Sequence, residues 1–378
     1  MRIAWITYDF EEYSTCHVNA MAEDHDLLLV MPEPGEGDPC YDVHPQVDHF
    51  SFQKPRLRQP FKQLRSNREI LRRVHDFQPD VVHYQQGHMW FNAALKSLKQ
   101  YPLIVTIHDP RHHAGDSVSQ KTPQWLMDYG FRKADLVIVH GEALVGQVKE
   151  LFGIDRSNIH VIPHISMGGD APDNLIAEDP NQVLFFGRIW DYKGLDCLIE
   201  AEPLISKHVP NLKIVIGGEG DDFQRYRDMI QNPDRFDIQN RWISDEERAE
   251  MFQRAAVVVL PYNEATQSGV VPVAYNFGKP VVATCVGALA ECVDHEETGL
   301  LVPPRDPQKL ADAIVRVLTD SDLRSQMGAG GRRKLQRECS PAVVAQQTIE
   351  TYAKAAGMQL EEHAAPVELL AADLQETN

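Results

Sequence analysis

The chain alternates short apolar runs with longer amphipathic stretches. The runs lack a strict alternation of polar and apolar positions, as expected for parallel strands covered on both faces. In the first half they occupy residues 3–7, 27–30, 81–83, 103–106, 136–139 and 160–162, with helical patterns at 61–77 and 124–133. This order predicts a doubly wound α/β domain.

A second series of the same kind follows a break in the pattern. Its strands are predicted at 182–186, 212–216, 257–260, 281–283 and 299–302, and its helices at 195–207, 245–255 and 307–319. The polar stretch 167–180, which contains Asp and Pro, predicts a linker. Residues 1–166 and 181–340 are therefore expected to form two Rossmann-like domains, with ligands bound in the cleft between the carboxyl ends of their strands.

Two segments follow the second series. A helix predicted at 341–357 comes after a complete sheet, so we expect it to pack back on the first domain. Residues 358–378 are acidic and rich in Ala, which predicts a flexible tail.

The composition is that of a soluble globular protein, with 43% hydrophobic and 24% charged residues. The six cysteines form no CxxC pair and indicate the reduced thiols of a cytoplasmic protein. The net charge of -18 argues against general nucleic-acid binding. No window approaches the roughly 18 uninterrupted apolar residues of a membrane-spanning helix, so any membrane contact is expected to be peripheral.

Two cations stand in the loop predicted after the first strand of the second half. The segment FFGRIWDYKG places Gly187, Arg188 and Lys193 there. Glycine lets a ligand approach the backbone, arginine offers a planar fork of donors and lysine supplies a point charge. The pattern favours a diphosphate site, and the alternative is a pair of solvated loop cations.

A second loop, PYNEATQSGVVP, follows the apolar strand at 257–260. A helix starting at Val270 would leave backbone N–H groups of Ser268, Gly269 and Val270 free at its amino end, which is a phosphate site. Glu264 could accept hydrogen bonds from sugar hydroxyls. Alone, the segment could equally be an ordinary strand–loop–helix turn.

Two further strand ends carry candidate residues. GGEG places Gly218 and Glu219 where they would admit a base or ribose, or simply allow a tight turn. In TIHDPRHH, His108 is expected to face the cleft as a neutral donor or acceptor. Metal binding by His108, His112 and His113 is the less favoured alternative, since no helix is expected to bring them together.

In order and approximate spacing, these segments resemble retaining glycosyltransferase family 4, which has the GT-B fold. FFGRIWDYKGLDCLIEA is similar to the family's donor-diphosphate motif. The family's pattern continues through GGEG, VVVLPYNEATQSGVVPVAYNFGKPVVAT and GALAECVDHEETGLLVPPRDPQKLADAI, and VIPH and TIHD resemble its first-domain segments. The resemblance implies a retaining enzyme that moves a sugar from a nucleotide-diphosphate sugar to an acceptor.

The resemblance also implies roles for individual residues. Arg188 and Lys193 would stabilise the leaving diphosphate without a metal ion or other cofactor. Glu264 would orient the sugar hydroxyls, and His108 would contact the sugar from the opposite domain. A UDP-sugar is favoured over a GDP-sugar as donor, and the acceptor is left open between a glycan, a lipid-linked molecule and a small molecule.

Two features depart from the family pattern. The family usually has two glutamates eight positions apart, the second of which holds the nucleotide ribose. Glu264 matches the first, but Val273 stands where the second is expected, nine positions on. Glu291 or Glu219 is the candidate to compensate. The first strand is followed by an acidic and aromatic turn at 8–14 instead of a glycine-rich one, which predicts a different acceptor site.

Three other functions stay open from the sequence. A nucleotide-sugar epimerase would need acid/base carboxylates on both sides of the cleft, and a phosphorylase would need an extra phosphate site. A non-catalytic nucleotide-sugar-binding protein is the third alternative, and Val273 is the best argument for it.

A basic stretch at 51–74 contrasts with the acidic remainder of the chain. Glu69 is its sole acid, and its cations are Lys54, Arg56, Arg58, Lys62, Arg65, Arg68, Arg72 and Arg73. The segment is either a solvated helix face or a surface that docks on anionic lipid, at the inner face of a membrane, and collects a lipid-linked acceptor.

Overall fold

Two parallel sheets organise the chain, one in each half. This computed structural model describes residues 1–35, 40–113, 122–168, 176–220 and 222–359. We call residues 1–166 the N-terminal unit and residues 181–340 the C-terminal unit. The predicted GT-B arrangement of two Rossmann-like α/β domains is confirmed.

The N-terminal unit is built on strands β1 (Arg2–Ile6), β2 (Asp26–Pro32), β3 (Asp48–Phe52), β4 (Val81–Gln85), β5 (Leu103–Thr106), β6 (Leu136–Val139) and β7 (Ile159–Val161). Within the described residues they pair in the order β3-β2-β1-β4-β5-β6-β7. Every residue of β4, β5 and β6 is buried, because helices cover both faces of the sheet.

Helices connect these strands: α1 (Glu11–Met21), α2 (Pro60–Phe77), α3 (Met89–Asn92), α4 (Gln124–Phe131) and α5 (Ala143–Phe152). The apolar pattern did not predict α1, which begins without a side-chain cap. Its N-cap is Phe10, a non-glycine residue in the left-handed region with φ 67°. The Phe10 ring lines the cleft and stacks on His108.

The C-terminal unit repeats the construction with strands β8 (Gln182–Phe186), β9 (Lys213–Gly218), β10 (Phe236–Asn240), β11 (Val257–Leu260), β12 (Val281–Thr284) and β13 (Gly299–Val302). Among the residues described, their order is β10-β9-β8-β11-β12-β13. The helices of this unit are α6 (Leu195–Ile205), α7 (Gln224–Met229), α8 (Asp245–Arg254), α9 (Val270–Asn276), α10 (Pro307–Thr319) and α11 (Ser321–Lys334).

Helix α12 (Pro341–Ala356) returns the chain to the N-terminal unit. Its Ile349 and Tyr352 are buried in the apolar cluster that also contains α1, and Tyr352 OH lies 2.6 Å from His83 Nδ1. Just before α12, Ser166 N donates to Cys339 O at 2.8 Å. The two places where the chain passes between the units are therefore hydrogen-bonded to each other.

Some predicted segments lie partly outside the described residues. These are 169–175 of the predicted linker and the predicted tail from 360 onward. Among the residues that are described, no helix combines the length and the apolar character needed to span a bilayer.

Each sheet reverses its strand order once, between β1 and β4 in the N-terminal unit and between β8 and β11 in the C-terminal unit. Ligands of open α/β sheets bind beyond the carboxyl ends of the strands at such a reversal. The loops that carry the predicted diphosphate residues follow β8 and β11, so they flank the reversal of their sheet.

Candidate active site

A cleft of about 370 Å³ lies between the two units at the carboxyl ends of their strands. Its C-terminal wall contains eight residues predicted to hold the donor: Gly187, Arg188, Lys193, Gly218, Glu219, Ser268, Gly269 and Val270. The opposite wall includes Phe10, Glu12, Tyr41, Asp109 and His113. The loops after β8 and β11 therefore share one hollow, as a diphosphate site requires.

The loop after β8 is held by a backbone contact that only glycine permits. Gly218 ends β9 with φ 139°, and a Cβ on it would overlap the carbonyl oxygen of Gly187. Gly187 N in turn donates to Gly217 O at 2.9 Å. These contacts draw the loop against the end of β9, so Arg188 and Glu219 lie on the same wall.

Lys193 is the buried cation of the cleft. Only 9% of its surface is exposed, and its Nζ donates to Tyr262 OH at 2.6 Å. Tyr262 OH lies 3.4 Å from Ser268 Oγ on the other loop. A Cβ on Gly194 would overlap Pro261 O, so glycine at this position lets the two loops meet. The ammonium group of one loop is thus fixed beside the other.

Arg188 supplies the second cation and is more exposed than Lys193. Its Cζ lies 4.1 Å from the centroid of the Trp190 ring, which orients the guanidinium. Within the described residues, neither Arg188 nor Lys193 has a carboxylate oxygen within 4.0 Å. Two cations that face one hollow without a carboxylate at ion-pair distance can attract an anion.

Helix α9 contributes less to this site than the sequence predicted. It has seven residues, so its dipole is small. Val270 N already donates to Ser268 Oγ at 3.3 Å, which engages one of the three predicted amides within the protein. Any phosphate contact here would therefore depend on the backbone amides of Ser268 and Gly269 more than on the helix.

Glu264 is not part of the cleft lining but contacts His113, which is. Its side chain is 54% exposed, and its Oε1 lies 3.4 Å from Nδ1 of His113, which belongs to the N-terminal unit. The carboxylate is therefore positioned by a contact across the cleft.

His108 does not face the cleft, which corrects the sequence-based expectation. It is completely buried because the Phe10 ring stacks on it, with centroids 4.0 Å apart and planes 8° apart. Its Nε2 lies 3.2 Å from Gln85 Oε1. Burial lowers the pKa of His108 well below its usual range, so the ring is neutral as expected. His113, from the same segment, is the histidine that reaches the cleft.

The three histidines of this segment have separate partners. His112 Nε2 lies 2.9 Å from Thr122 O, while His113 Nε2 lies 3.0 Å from Asp109 Oδ1. Among the described residues, no group of three His, Cys, Asp or Glu side chains is arranged to hold a metal ion. The spacing of His108, His112 and His113 therefore does not create a ligand set here.

Glu291 lies away from the cleft, so the structure does not place it where it could replace the missing ribose carboxylate. Its two oxygens accept hydrogen bonds from Glu142 N and Ala143 N, each at 2.8 Å, at the start of α5 in the other unit. Glu219 does line the cleft, as does Val273. Glu219 is thus the better placed of the two candidate carboxylates.

Sequence reasoning missed an ion pair that joins the units beside the cleft. Arg248 on α8 lies 3.1 Å from Glu12 on α1, and their side chains are only 13% and 19% exposed. Glu12 Oε1 also accepts from Gly168 N at 2.9 Å. No local signal distinguishes Arg248 from the other charged residues of α8, because its partner lies in the other unit.

Both units match known protein families. The model "Glycosyltransferase Family 4" matches residues 15–165, and "Glycosyl transferases group 1" matches residues 180–320. A D-inositol 3-phosphate glycosyltransferase of Nocardioides is 27% identical over 330 residues, covering 76% of this chain and 70% of that protein.

Solved structures share the fold. Sucrose-phosphate synthase from Thermosynechococcus elongatus has a TM-score of 0.72 at 19% identity, over 94% of this chain and 99% of that one. Anabaena HepE in complex with UDP has a TM-score of 0.70 at 18% identity, over 94% of this chain and all of that one (100%). With both units matched by family models and the whole fold shared, the chain belongs to the GT-B glycosyltransferases as a family 4-like member.

Proposed function

We propose that the chain is a retaining glycosyltransferase that uses a nucleotide-diphosphate sugar, with UDP favoured as the nucleotide. One observation carries the proposal: Lys193 and Arg188 face the same cleft, and neither has a carboxylate partner within the described residues. UDP is the ligand of the HepE complex that shares this fold, which supports the choice of nucleotide.

The burial of Lys193 favours an anionic ligand. A desolvated ammonium loses hydration free energy that a neutral phenol restores only in part. Tyr262 is the neutral partner that Lys193 has. A diphosphate in the cleft would supply the missing negative charge, and each charge-assisted hydrogen bond would contribute about 1.5–3 kcal/mol.

In the proposed reaction, the bond between the anomeric carbon and the diphosphate oxygen breaks, and the electron pair stays on the diphosphate. The acceptor oxygen bonds to the anomeric carbon on the face that the diphosphate leaves, and its proton passes to the departing phosphate oxygen. Arg188, Lys193 and the amides of Ser268 and Gly269 stabilise the growing charge, without a metal ion in this scheme. Glu264 orients the sugar hydroxyls.

Nucleotide binding and acceptor-dependent nucleotide release test this proposal. We expect calorimetric titration of the full chain to show that UDP binds more tightly than GDP. We also expect UDP to be released from a UDP-sugar at a rate that rises with added acceptor. An epimerase would alter the sugar without releasing UDP, and a binding protein would release none. Failure to bind any nucleoside diphosphate would contradict the proposal.

We also propose that α2 contacts an anionic membrane surface and so gives access to a lipid-linked acceptor. Phe61 is 85% and Leu64 is 56% exposed on the outer side of this helix. Helical spacing places Arg65, Arg68 and Arg72 on the same side, while the buried residues of α2 face the sheet. An apolar tip followed by a cationic stripe is typical of helices that lie at an anionic bilayer.

Co-sedimentation with phosphatidylserine-containing vesicles at low salt tests this surface. We expect the chain to bind these vesicles but not phosphatidylcholine vesicles. The double variant Phe61→Ser, Leu64→Ser and the variant Arg68→Gln should each weaken binding, whereas Lys207→Gln on the C-terminal unit should not. Equal binding to both vesicle types, or none to either, would contradict the membrane proposal and leave the donor site unaffected.

A further inference from the structure

The imidazole of His113 connects the two units at the cleft. Its Nε2 lies 3.0 Å from Asp109 Oδ1 and 3.2 Å from Thr266 Oγ1, and its Nδ1 lies 3.4 Å from Glu264 Oε1. Thr266 Oγ1 also donates to Asp109 Oδ1. Asp109 and His113 follow β5 in the N-terminal unit, whereas Glu264 and Thr266 belong to the loop after β11. One ring thus engages oxygen atoms of both units.

The same ring also touches the loop that carries the buried cation. It stacks on Tyr192, with centroids 4.3 Å apart and planes 21° apart. Tyr192 precedes Lys193 directly, and Tyr192 O accepts from Asn263 N at 2.7 Å. His113 therefore contacts both loops that form the anion site, and it reaches them from the opposite unit.

The charge of the ring follows from its partners. A neutral imidazole has one N–H donor and one lone pair, so one nitrogen would face a carboxylate without a hydrogen to donate. Burial alone lowers the pKa of His113, but hydrogen bonds and charge from Asp109 and Glu264 outweigh burial and raise it. Two cations of the C-terminal unit lie near the His113 ring. The charge of Arg188 helps to lower the pKa of Asp109, and Lys193 Nζ lies 5.5 Å from the centroid of the Tyr192 ring, on which His113 stacks.

We propose that His113 is a positioning residue: as an imidazolium bound to Asp109, Glu264 and Thr266, it holds the two anion-binding loops in register with the N-terminal unit during sugar transfer. The proposal rests on the proposed function. Its physical basis is that loss of the proton leaves one ring nitrogen with a lone pair facing a carboxylate, which removes a charge-assisted hydrogen bond and weakens the contact across the cleft. Transfer should therefore decline as the pH rises through the raised pKa of His113.

The variant His113→Gln tests this role, since glutamine keeps a hydrogen-bonding side chain but carries no charge. We expect its kcat to fall by about 10-fold to 100-fold, because small misplacement of reacting groups is costly. The alkaline decline of kcat in the parent chain should disappear in the variant. UDP affinity should change by less than about 3-fold, because Arg188 and Lys193 are intact. The neighbouring variant His112→Gln should behave as the parent.

Two measurements make the test independent of an acceptor. NMR titration should give His113, assigned by its loss in His113→Gln, a pKa above 6.5 that falls in Glu264→Gln. Small-angle scattering should show a larger radius of gyration for His113→Gln than for the parent at about pH 7. An ordinary pKa, or equal compactness of the two proteins, would overturn the proposal. So would parallel losses of UDP affinity and thermal stability with an unchanged pH profile, since those would indicate only a structural role.

Failure of the proposed function would look different. In that case the parent chain itself would bind no nucleoside diphosphate, whatever residue stands at position 113. Failure of the inference about His113 would leave UDP binding and turnover of the parent chain in place.

Discussion

The two sheets have the same construction, but their carboxyl ends present opposite chemistry to the cleft. The C-terminal unit presents glycine-bearing loops and the cations Arg188 and Lys193. The N-terminal unit packs aromatic rings there, and behind Phe10 lie five buried histidines: His17, His83, His108, His140 and His164. The same architecture has therefore produced one side whose loops carry two cations and one whose interior, behind Phe10, is a closed cluster of neutral rings.

The five histidines form one cluster with the rings of Trp5 and Tyr13. The ring centroids of His108 and His140 are 4.8 Å apart, those of His140 and His164 are 5.1 Å apart, and His83 stacks on Trp5 at 3.8 Å. Burial lowers the pKa of His17 and of His140 to about 3, and that of His164 to about 4. The rings stay neutral at pH 7, so the contrast lies between a buried neutral cluster in one unit and two cations at the cleft in the other.

The largest expected effect is that acid destabilises the N-terminal unit, because it protonates the buried histidines. Because these folded-state pKa values lie below the ordinary 6.5, the unfolded chain binds more protons below that pH. The stability that these neutral rings contribute is complete above about pH 6.5 and falls as the pH drops toward their lowered pKa values, by at most about 1.4 kcal/mol per pH unit for each histidine. Hydrogen exchange at about pH 7.5 and about pH 5, corrected for intrinsic rates, should show that the N-terminal unit loses protection first.

A variant pair checks the origin of that acid sensitivity. His17→Phe should reduce the pH dependence of the free energy of unfolding, whereas His208→Phe, at an exposed position of the C-terminal unit, should leave it unchanged. Earlier loss of protection in the C-terminal unit would refute the assignment to the histidine cluster.

The variant Lys193→Met tests the role of the cations of the C-terminal unit. Removal of one preorganised group that stabilises developing charge lowers kcat by about 10²–10³. We expect a loss of that size, measured as UDP release in the presence of acceptor. The matched variant Lys207→Met changes an exposed lysine of the same unit and should keep full activity. Near-normal turnover of Lys193→Met would remove this residue from leaving-group stabilisation.

The smallest expected effect concerns the Phe10 ring, which covers the buried histidine cluster. Phe10→Ala should expose His108 to the cleft and allow carbethoxylation of its ring by diethylpyrocarbonate, detected by mass spectrometry. The parent chain and the variant Phe61→Ala should show no such modification, because Phe10 still covers His108. Unmodified His108 in Phe10→Ala would mean that other groups also shield it.

Much of the fold could be predicted because buried parallel strands have a plain apolar pattern. The strands that escaped prediction, β3 and β10, lie at the edges of their sheets. Their sequences DHFSF and FDIQN are polar because one side of an edge strand is open to solvent. The helix α1 escaped because Phe10 gives it no side-chain cap.

The sequence located a residue in the cleft where its position depends on the nearest strand. Arg188, Lys193 and Ser268 lie in the loops that follow β8 and β11, so strand order alone carries them into the cleft. His108 and Glu291 were misplaced because distant residues decide their surroundings. Phe10 covers His108, and backbone N–H groups at the start of α5 donate hydrogen bonds to Glu291. Neither partner could be identified from the neighbouring sequence.

The hydrogen bond between Ser166 N and Cys339 O has a mechanical consequence. Because this bond joins the two chain crossings, rotation about an axis through it is the relative motion of the units that keeps it intact. Twisting or sliding would have to break the link. Opening and closing of the cleft would then follow this one rotation. The contacts between the opposing walls would form or break together along it.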